Sequence, residues 1–282
     1  MREPARDFAR AAALEHNRRA WDRLAAVGVP LTRPAADEAF ADPRLWLGSA
    51  GSDERAWLPT RLDGLDVLCL AAGGGKHGPL YAAAGARVTV LDLSPAMLAL
   101  DRAVASERRI DLAIVEGSMD DLGMLPAGRF DLVVHPVSTC YLPDVAVVFR
   151  EVARVTKPGG LYISQHKSPA SLQAGLVPNE RGRYEFEHPQ GTGEALPDAP
   201  PSRLREAGCR EHVHSLEALL GGICRAGFAI EDVAEPDHAR PAATHGGNAH
   251  RAVYLPPYLR VLARRGGPRS ATGLVVVHSF RS

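Results

Sequence analysis

Three glycines spaced Gly73-x-Gly75-x-x-Gly78, an acid at Asp92 and histidines at His77, His135 and His166 have the types and spacing for chemistry. Glycines at a strand-to-helix corner let backbone N–H groups and a helix N-terminus come close to a polar ligand. Asp92, at the tip of the following apolar run, suits acceptance of both hydroxyls of a ribose. The spacing matches the dinucleotide fingerprint, with an acid roughly twenty residues on. Such runs also form plain tight corners, so the unit points to a ribose-bearing ligand and leaves its identity open. Histidine titrates near neutrality and suits proton transfer. His135 follows a buried run, His166 lies just past another, and Tyr141 sits on the loop between them, placed to donate a hydrogen bond. Tyr184, His188 and Arg183 in a long central loop, and His250, Arg251 and Tyr258 in a late one, would read a substrate. Arginine there suits a carboxylate or phosphate. Position alone does not make any of these catalytic.

The elements that position them read in order. Val67–Ala71 is an apolar run without alternation, as a strand covered on both faces requires. A helix follows over Pro79–Ala84, then a strand over Arg87–Leu91. Ser94 and Pro95 supply an N-cap and a first helical residue for a helix to Arg108 that buries Met97, Leu98 and Val104. Further strands are expected at Ile110–Val115, Phe130–His135, Leu161–Gln165, Phe228–Val233 and Thr272–Phe280, with helices near Val145–Val155 and Leu216–Ala226. This alternation predicts an α/β fold with a doubly wound, mostly parallel, seven-stranded Rossmann-like sheet. Right-handed crossovers place all the strand C-termini on one edge, where ligands bind.

Two appendages are expected. Residues 1–60 form an N-terminal helical cap ahead of the sheet domain at 61–282. Its helix runs from about Asp7 to Ala26, with Phe8, Ala11, Leu14, Trp21 and Leu24 near one face, and Asn17 and Trp21 are placed to cover a ligand. Pro30–Pro59 is an irregular segment packed by Trp46 and Trp57. Residues 168–213 form a proline-rich lid inserted at the ligand edge, with Tyr184, Phe186 and His188 alternating as in a short hairpin. Pro236–Gly267 reads as loop.

Composition narrows the partners. Hydrophobic residues make up 45% of the chain and charged residues 23%, ordinary for a globular protein. The formal net charge is zero and no basic stripe is present, so neither nucleic acid nor an anionic membrane is an expected partner. The charged N-terminal stretch lacks an apolar signal core. Cys69, Cys140, Cys209 and Cys224 form no CxxC pair, which predicts reduced thiols in a cytoplasmic protein. Cys209-x-x-His212-x-His214 is not a standard zinc spacing, and no metal is expected.

Taken together, Leu70-Ala71-Ala72-Gly73-Gly74-Gly75, Val-x-Val-Leu-Asp-Leu-Ser-Pro, Phe-Asp-Leu-Val-Val and Lys157-Pro158-Gly159-Gly160-Leu161 resemble the motifs of class I S-adenosylmethionine-dependent methyltransferases. The Ala226-Gly227-Phe228 break adds a weaker sign. The resemblance implies S-adenosylmethionine as cofactor and methyl transfer to an oxygen or nitrogen of a small molecule. By position, it implies that Ala71, Gly73 and Gly75 line the methionine and ribose side and that Asp92 binds the ribose hydroxyls. Leu93 would pack on adenine, Ser118 and Met119 would contact its edge and face, and His135 and Pro136 would sit beside the methionine moiety. His135, His166 and Tyr141 are the catalytic candidates; Tyr184, His188, Arg251 and Tyr258 are the substrate candidates. The chain departs from the family pattern at Cys69, where an acid is common, at Ala71, where glycine is usual, and at Ser118, where aspartate is usual. A nicotinamide-dependent oxidoreductase on the same glycine corner is the alternative, but no Tyr-x-x-x-Lys site accompanies it. A binding protein that lost transfer activity is a third reading.

Overall fold

The computed structural model describes residues 3–48, 57–191, 194–198, 200, 202 and 204–266. Its centre is one seven-stranded sheet in the order β3-β2-β1-β4-β5-β7-β6. In chain order the strands are β1 (Asp66–Leu70), β2 (Arg87–Asp92), β3 (Ala113–Glu116), β4 (Phe130–His135), β5 (Thr156–Lys167), β6 (Phe228–Ala234) and β7 (Tyr258–Arg265). The pairs among β1 to β5 are parallel, and β7 runs antiparallel between β5 and β6. Chain order reverses between β1 and β4, which opens the crevice at which ligands of open α/β sheets bind.

Both faces of the sheet are covered, which is why the strands read as continuous apolar runs. On one face Leu68, Leu70, Leu91 and Tyr162 pack with Val148, Phe149 and Val152 of a helix at Ala146–Val155, and with Leu219 and Ile223. On the other, Val67, Cys69, Val88 and Val90 pack with Tyr81 and Leu98 from the helices at His77–Ala83 and Pro95–Arg108. We number the helices α1 (Glu3–Val27), α2 (Pro43–Gly48), α3 (His77–Ala83), α4 (Pro95–Arg108), α5 (Ala146–Val155), α6 (Pro169–Gln173), α7 (Gly222–Arg225) and α8 (Asn248–Arg251). A π-helical turn at Glu217–Gly221 leads into α7. Ser94 caps α4 as expected, accepting from the Met97 N–H at 3.1 Å.

Four expectations are corrected. The segment read as loop contains β7, whose Leu259, Val261 and Ala263 alternate into the core, so the seventh strand is Tyr258–Arg265. Thr272–Phe280 lies outside the described residues. Of the expected face of α1, Leu14, Trp21 and Leu24 pack against the core but Phe8 and Ala11 are exposed, and the deepest residues are Ala13, Asn17 and Ala20. Small residues there let α1 approach closely, and Asp22 fixes the contact by accepting from Ser94 Oγ at 2.6 Å. Trp46 is exposed, whereas Trp57 is buried and donates to Asp232 at 2.9 Å. Among the described residues the 168–213 segment has no named strand. The expected hairpin is reduced to an isolated antiparallel bridge of Ala174 with Phe186, flanked by bonds from the Gly175 N–H to Glu185 and the Glu187 N–H to Gln173, and a second bridge joins Ala195 and His212.

Candidate active site

At the β1–β4 switch the C-terminal strand ends enclose a cavity of about 320 Å³. One end is walled by Asp92, Leu93, Gly117, Ser118 and Met119, the middle by Ala71, Gly73, Lys76 and His77, and the far end by Pro136, Tyr141, Gln165, Glu206 and Tyr258. Leu14, Asn17 and Trp21 of α1 close one side. Asn17 also pins that helix, donating to the carbonyls of Tyr141 and Arg210 at 3.0 Å and accepting from the Arg210 N–H at 2.8 Å.

The glycine corner is fixed by two buried carboxylates. Asp92 Oδ2 accepts from the Gly73 N–H and Oδ1 from the Ser94 N–H, both at 2.9 Å. Each carboxylate oxygen has a further lone-pair site, so the side chain can be held from behind and still accept ribose hydroxyls from the cavity. Burial raises the Asp92 pKa, against the pull of N–H bonds from Ser94, Gly73 and Leu93. From α4, Asp101 Oδ2 accepts from the Gly74 N–H at 2.8 Å. Burial pushes its carboxyl up to about 7. Asp101 thus brings an acid to the corner from a different element than β1, where Cys69 is an inert buried thiol. Glycine is required at two points for close approach. A Cβ at Gly73 would stand 3.0 Å from the Asp92 carboxylate, and one at Gly78 would stand 2.3 Å from Val90 Cγ2. Ala71 holds φ 48°, in the left-handed region, where a side chain is strained. Gly75 does not reach the cavity wall: its Cα faces Val104, Leu100 and Pro34, so its role is packing the corner onto α4.

At the other wall, Leu93 and Met119 present apolar surface, and Ser118 lies between them in sequence space and on the same cavity end. Ser118 Oγ donates to Asp120, and Asp120 is in turn held by Arg10 of α1, with Nη2 at 2.9 Å from Oδ1. With its proton committed to a carboxylate, Ser118 Oγ keeps lone pairs to accept from an exocyclic amine. The donor set therefore fits an adenosine: acceptors for two ribose hydroxyls, an acceptor for the amine and apolar faces for the base.

The far end carries a buried ionic network. Tyr141 donates to Glu206 Oε2 at 2.7 Å. Lys167, at the end of β5, bonds to Glu206, to Glu211 and, at 2.7 Å, to the Leu204 carbonyl; Glu211 also binds Arg205. Burial acts to lower the Lys167 pKa, but the neighbouring Cys140, Glu206 and Glu211 outweigh it and hold the ammonium protonated. Burial raises the Tyr141 hydroxyl well above its usual range.

The histidines are not where proton transfer needs them. His135 is buried, with Nδ1 2.8 Å from the Tyr162 hydroxyl and Nε2 2.6 Å from Ser138 Oγ. His166 is buried between Thr139 and Ser164, each at 2.9 Å. Burial pulls both down to about 3, so neither ring is poised near neutrality and neither lines the cavity. Burial likewise lowers His77 to about 4. Among the substrate candidates only Tyr258 lines this cavity. His188 lines a neighbouring one in the lid. Tyr184 bonds to His250 at 3.0 Å away from both. Arg251 is fully buried and donates to the carbonyls of Gly175, Ser171 and Ala174, so it ties α8 to α6 and is not a free cation for an anionic substrate.

Asp101, Gln165 and Glu206 are among the site residues that the motifs did not point to. Asp101 was legible, because an acid sharing the buried stripe of Met97, Leu98 and Val104 has to have a partner. Gln165 ends a recognised strand. Glu206 had no signal, sitting in a proline-rich lid without periodicity.

Residues 68–164 match the family described as a methyltransferase domain. The uncharacterized methyltransferase YbaJ of Bacillus subtilis (strain 168) is 34% identical over 227 residues, covering 78% of this chain and 89% of the relative. A ubiquinone biosynthesis O-methyltransferase of Xanthomonas oryzae pv. oryzae (strain PXO99A) is 32% identical over 43% of this chain, which spans 52% of that relative. The crystal structure of an S-adenosylmethionine-dependent methyltransferase from Mesorhizobium loti superposes with a TM-score of 0.59 at 27% identity, covering 80% of this chain and all of the other.

Proposed function

We infer the reaction from one premise: the chain belongs to the class I S-adenosylmethionine-dependent methyltransferases, and S-adenosylmethionine is its cofactor. The reaction we propose is methyl transfer to an oxygen or nitrogen of a small molecule seated at the β4–β5 end of the cavity. The cofactor supplies a methyl group on a sulfonium, whose leaving group is already activated. Alignment and exclusion of water then remain for the protein, and proximity is the main source of rate.

Asp92 and Ser118 are assigned to fix the nucleoside end, so that the reactive centre lies toward Pro136 and Tyr141. Gln165 and Tyr258 line the approach of the acceptor. A hydroxyl or ammonium acceptor has to lose a proton as its bond to the methyl carbon forms. We assign that proton to the Glu206 carboxylate, with Tyr141 and Lys167 holding Oε2 in place. His135 and His166 take no part in this scheme.

The observation that carries the reading is the meeting of Glu206 and Tyr141 on the cavity wall beside the β4–β5 tips. The O-methyltransferase name of the Xanthomonas relatives supports an oxygen acceptor. The zero net charge argues against a nucleic-acid acceptor. The test is a screen of small-molecule fractions with methyl-labelled cofactor, followed by mass spectrometry of the product. Labelled small phenols, alcohols or amines support the reading, and label found only in protein or nucleic acid refutes it.

A further inference from the structure

We propose that the lid contains a second chamber that takes the apolar body of the acceptor, so that the substrate is an elongated molecule with its nucleophile at one end. This rests on the methyl-transfer reading above and names the substrate class of that same site. The chamber has a volume of about 400 Å³ and lies between α6, the lid and the start of β7. Its inner wall is largely apolar, built by Leu172, Ala174, Leu176, Leu204 and Pro257, while the acids Glu187 and Asp198 are exposed to solvent at its rim.

Two observations join it to the active site. Tyr258 lines both cavities, so the two share a wall there. Beside Tyr258 the partition is the Lys167–Glu206 ion pair, with Lys167 facing the lid chamber and Glu206 facing the cofactor cavity. Size supplies the second argument. Small-ligand pockets run from roughly 300 to 1,000 Å³, and the cofactor cavity, at about 320 Å³, is at the small end of that range while it has to hold both the cofactor and the reacting end of the acceptor. An acceptor larger than a single ring has to extend elsewhere, and the adjoining chamber is the space available past Tyr258.

The chemistry of the wall selects the occupant. Lys167 and Arg205 line the chamber, but both are bound to Glu211, and Lys167 has its three donors on Glu206, Glu211 and the Leu204 carbonyl. The ion network is thus balanced internally, two cations against two carboxylates, and an anionic tail would have to break it. An apolar tail leaves it intact and removes the surface of the leucines and prolines from water.

The test titrates protein loaded with S-adenosylhomocysteine by calorimetry, using phenol, 4-butylphenol and 4-hexylphenol as probes. The expected result is an affinity that rises about threefold to fourfold per methylene, with S-adenosylhomocysteine retained throughout. Leu176→Trp, inside the chamber, and Val177→Trp, at its exposed rim, should each abolish the gain while leaving S-adenosylhomocysteine affinity unchanged. Affinity independent of chain length, absence of binding by the whole series, a gain that survives both tryptophans, or displacement of S-adenosylhomocysteine by the longer phenols would overturn the proposal. Failure of S-adenosylhomocysteine to bind the unmodified protein would instead strike the methyltransferase reading itself.

Discussion

Tyr141 and Glu206 meet across the far end of the cavity, hydroxyl to carboxylate at 2.7 Å, although they belong to the loop after β4 and to the lid. The contact ties the lid to the sheet edge and places a carboxylate where a methyl acceptor arrives. Lys167 binds the same Glu206 oxygen from beneath, so the position of that carboxylate is set by two donors from the core.

If Glu206 accepts the acceptor's proton, Glu206→Gln should lower kcat by about a hundredfold or more, the usual worth of a positioned general base. Cofactor affinity should stay within about twofold. Tyr141→Phe should cost less, because it removes an orienting bond and leaves the base. Steady-state kinetics beside calorimetry with S-adenosylhomocysteine separate these effects; equal losses in turnover and cofactor affinity would remove Glu206 from the proton path.

His135→Ala should register as lost stability. It strips the Tyr162 hydroxyl and Ser138 Oγ of a buried partner, at a cost of about 1–3 kcal/mol for each group left unsatisfied. The rate with saturating cofactor should fall less than tenfold when measured below the lowered melting temperature. A loss of several hundredfold in a stably folded variant would restore His135 to catalysis.

Asp101 makes stability depend on pH in a stated direction. Its folded-state pKa, about 7, lies above the unfolded value near 4. The folded protein therefore binds the extra proton between these values, and its contribution is full below pH ~4 and lost as pH rises through ~7. Asp101→Asn should flatten the fall in melting temperature between pH 5 and pH 8. An identical pH profile in the variant would show that another group is responsible.

Ala71 is held at φ 48° at the turn out of β1, a conformation that costs an L-residue roughly 1–2 kcal/mol. Ala71→Gly relieves this but adds freedom to the unfolded chain. The net gain should be about 0.5–1 kcal/mol in chemical denaturation, with cofactor binding kept. A destabilised variant would mean that the methyl group makes packing contacts worth more than the strain.

What the sequence disclosed follows from how local the signals were. The runs at Val67, Arg87 and Phe130 are buried on both faces, so their apolar continuity survived into strands at nearly the expected bounds. Ser94-Pro95 is a short-range cap and formed as read. β7 was missed although Leu259, Val261 and Ala263 alternate with Arg260, Leu262 and Arg264 as strand residues do, because Pro256 and Pro257 precede it and glycines follow it. Arg260 is accommodated over the Trp57 ring, a contact between distant segments that no window of sequence contains. The cofactor end was legible for the same reason as the strands, since Asp92 and the glycines lie within one β-α-β unit. The acceptor end was legible only in part: Tyr141 and Tyr258 were candidates and line the cavity, but Gln165 and Glu206 come from other segments and were missed, and the histidines at the strand tips turned inward to satisfy buried hydroxyls instead.

The account depends most on Asp92 as the anchor of the nucleoside. Isothermal titration of S-adenosylhomocysteine into Asp92→Asn and the unmodified protein tests it directly. Loss of charge-assisted bonds to the ribose should weaken binding by about tenfold or more, with the fold intact by circular dichroism. An unchanged dissociation constant in the folded variant would place the ribose elsewhere and contradict the site.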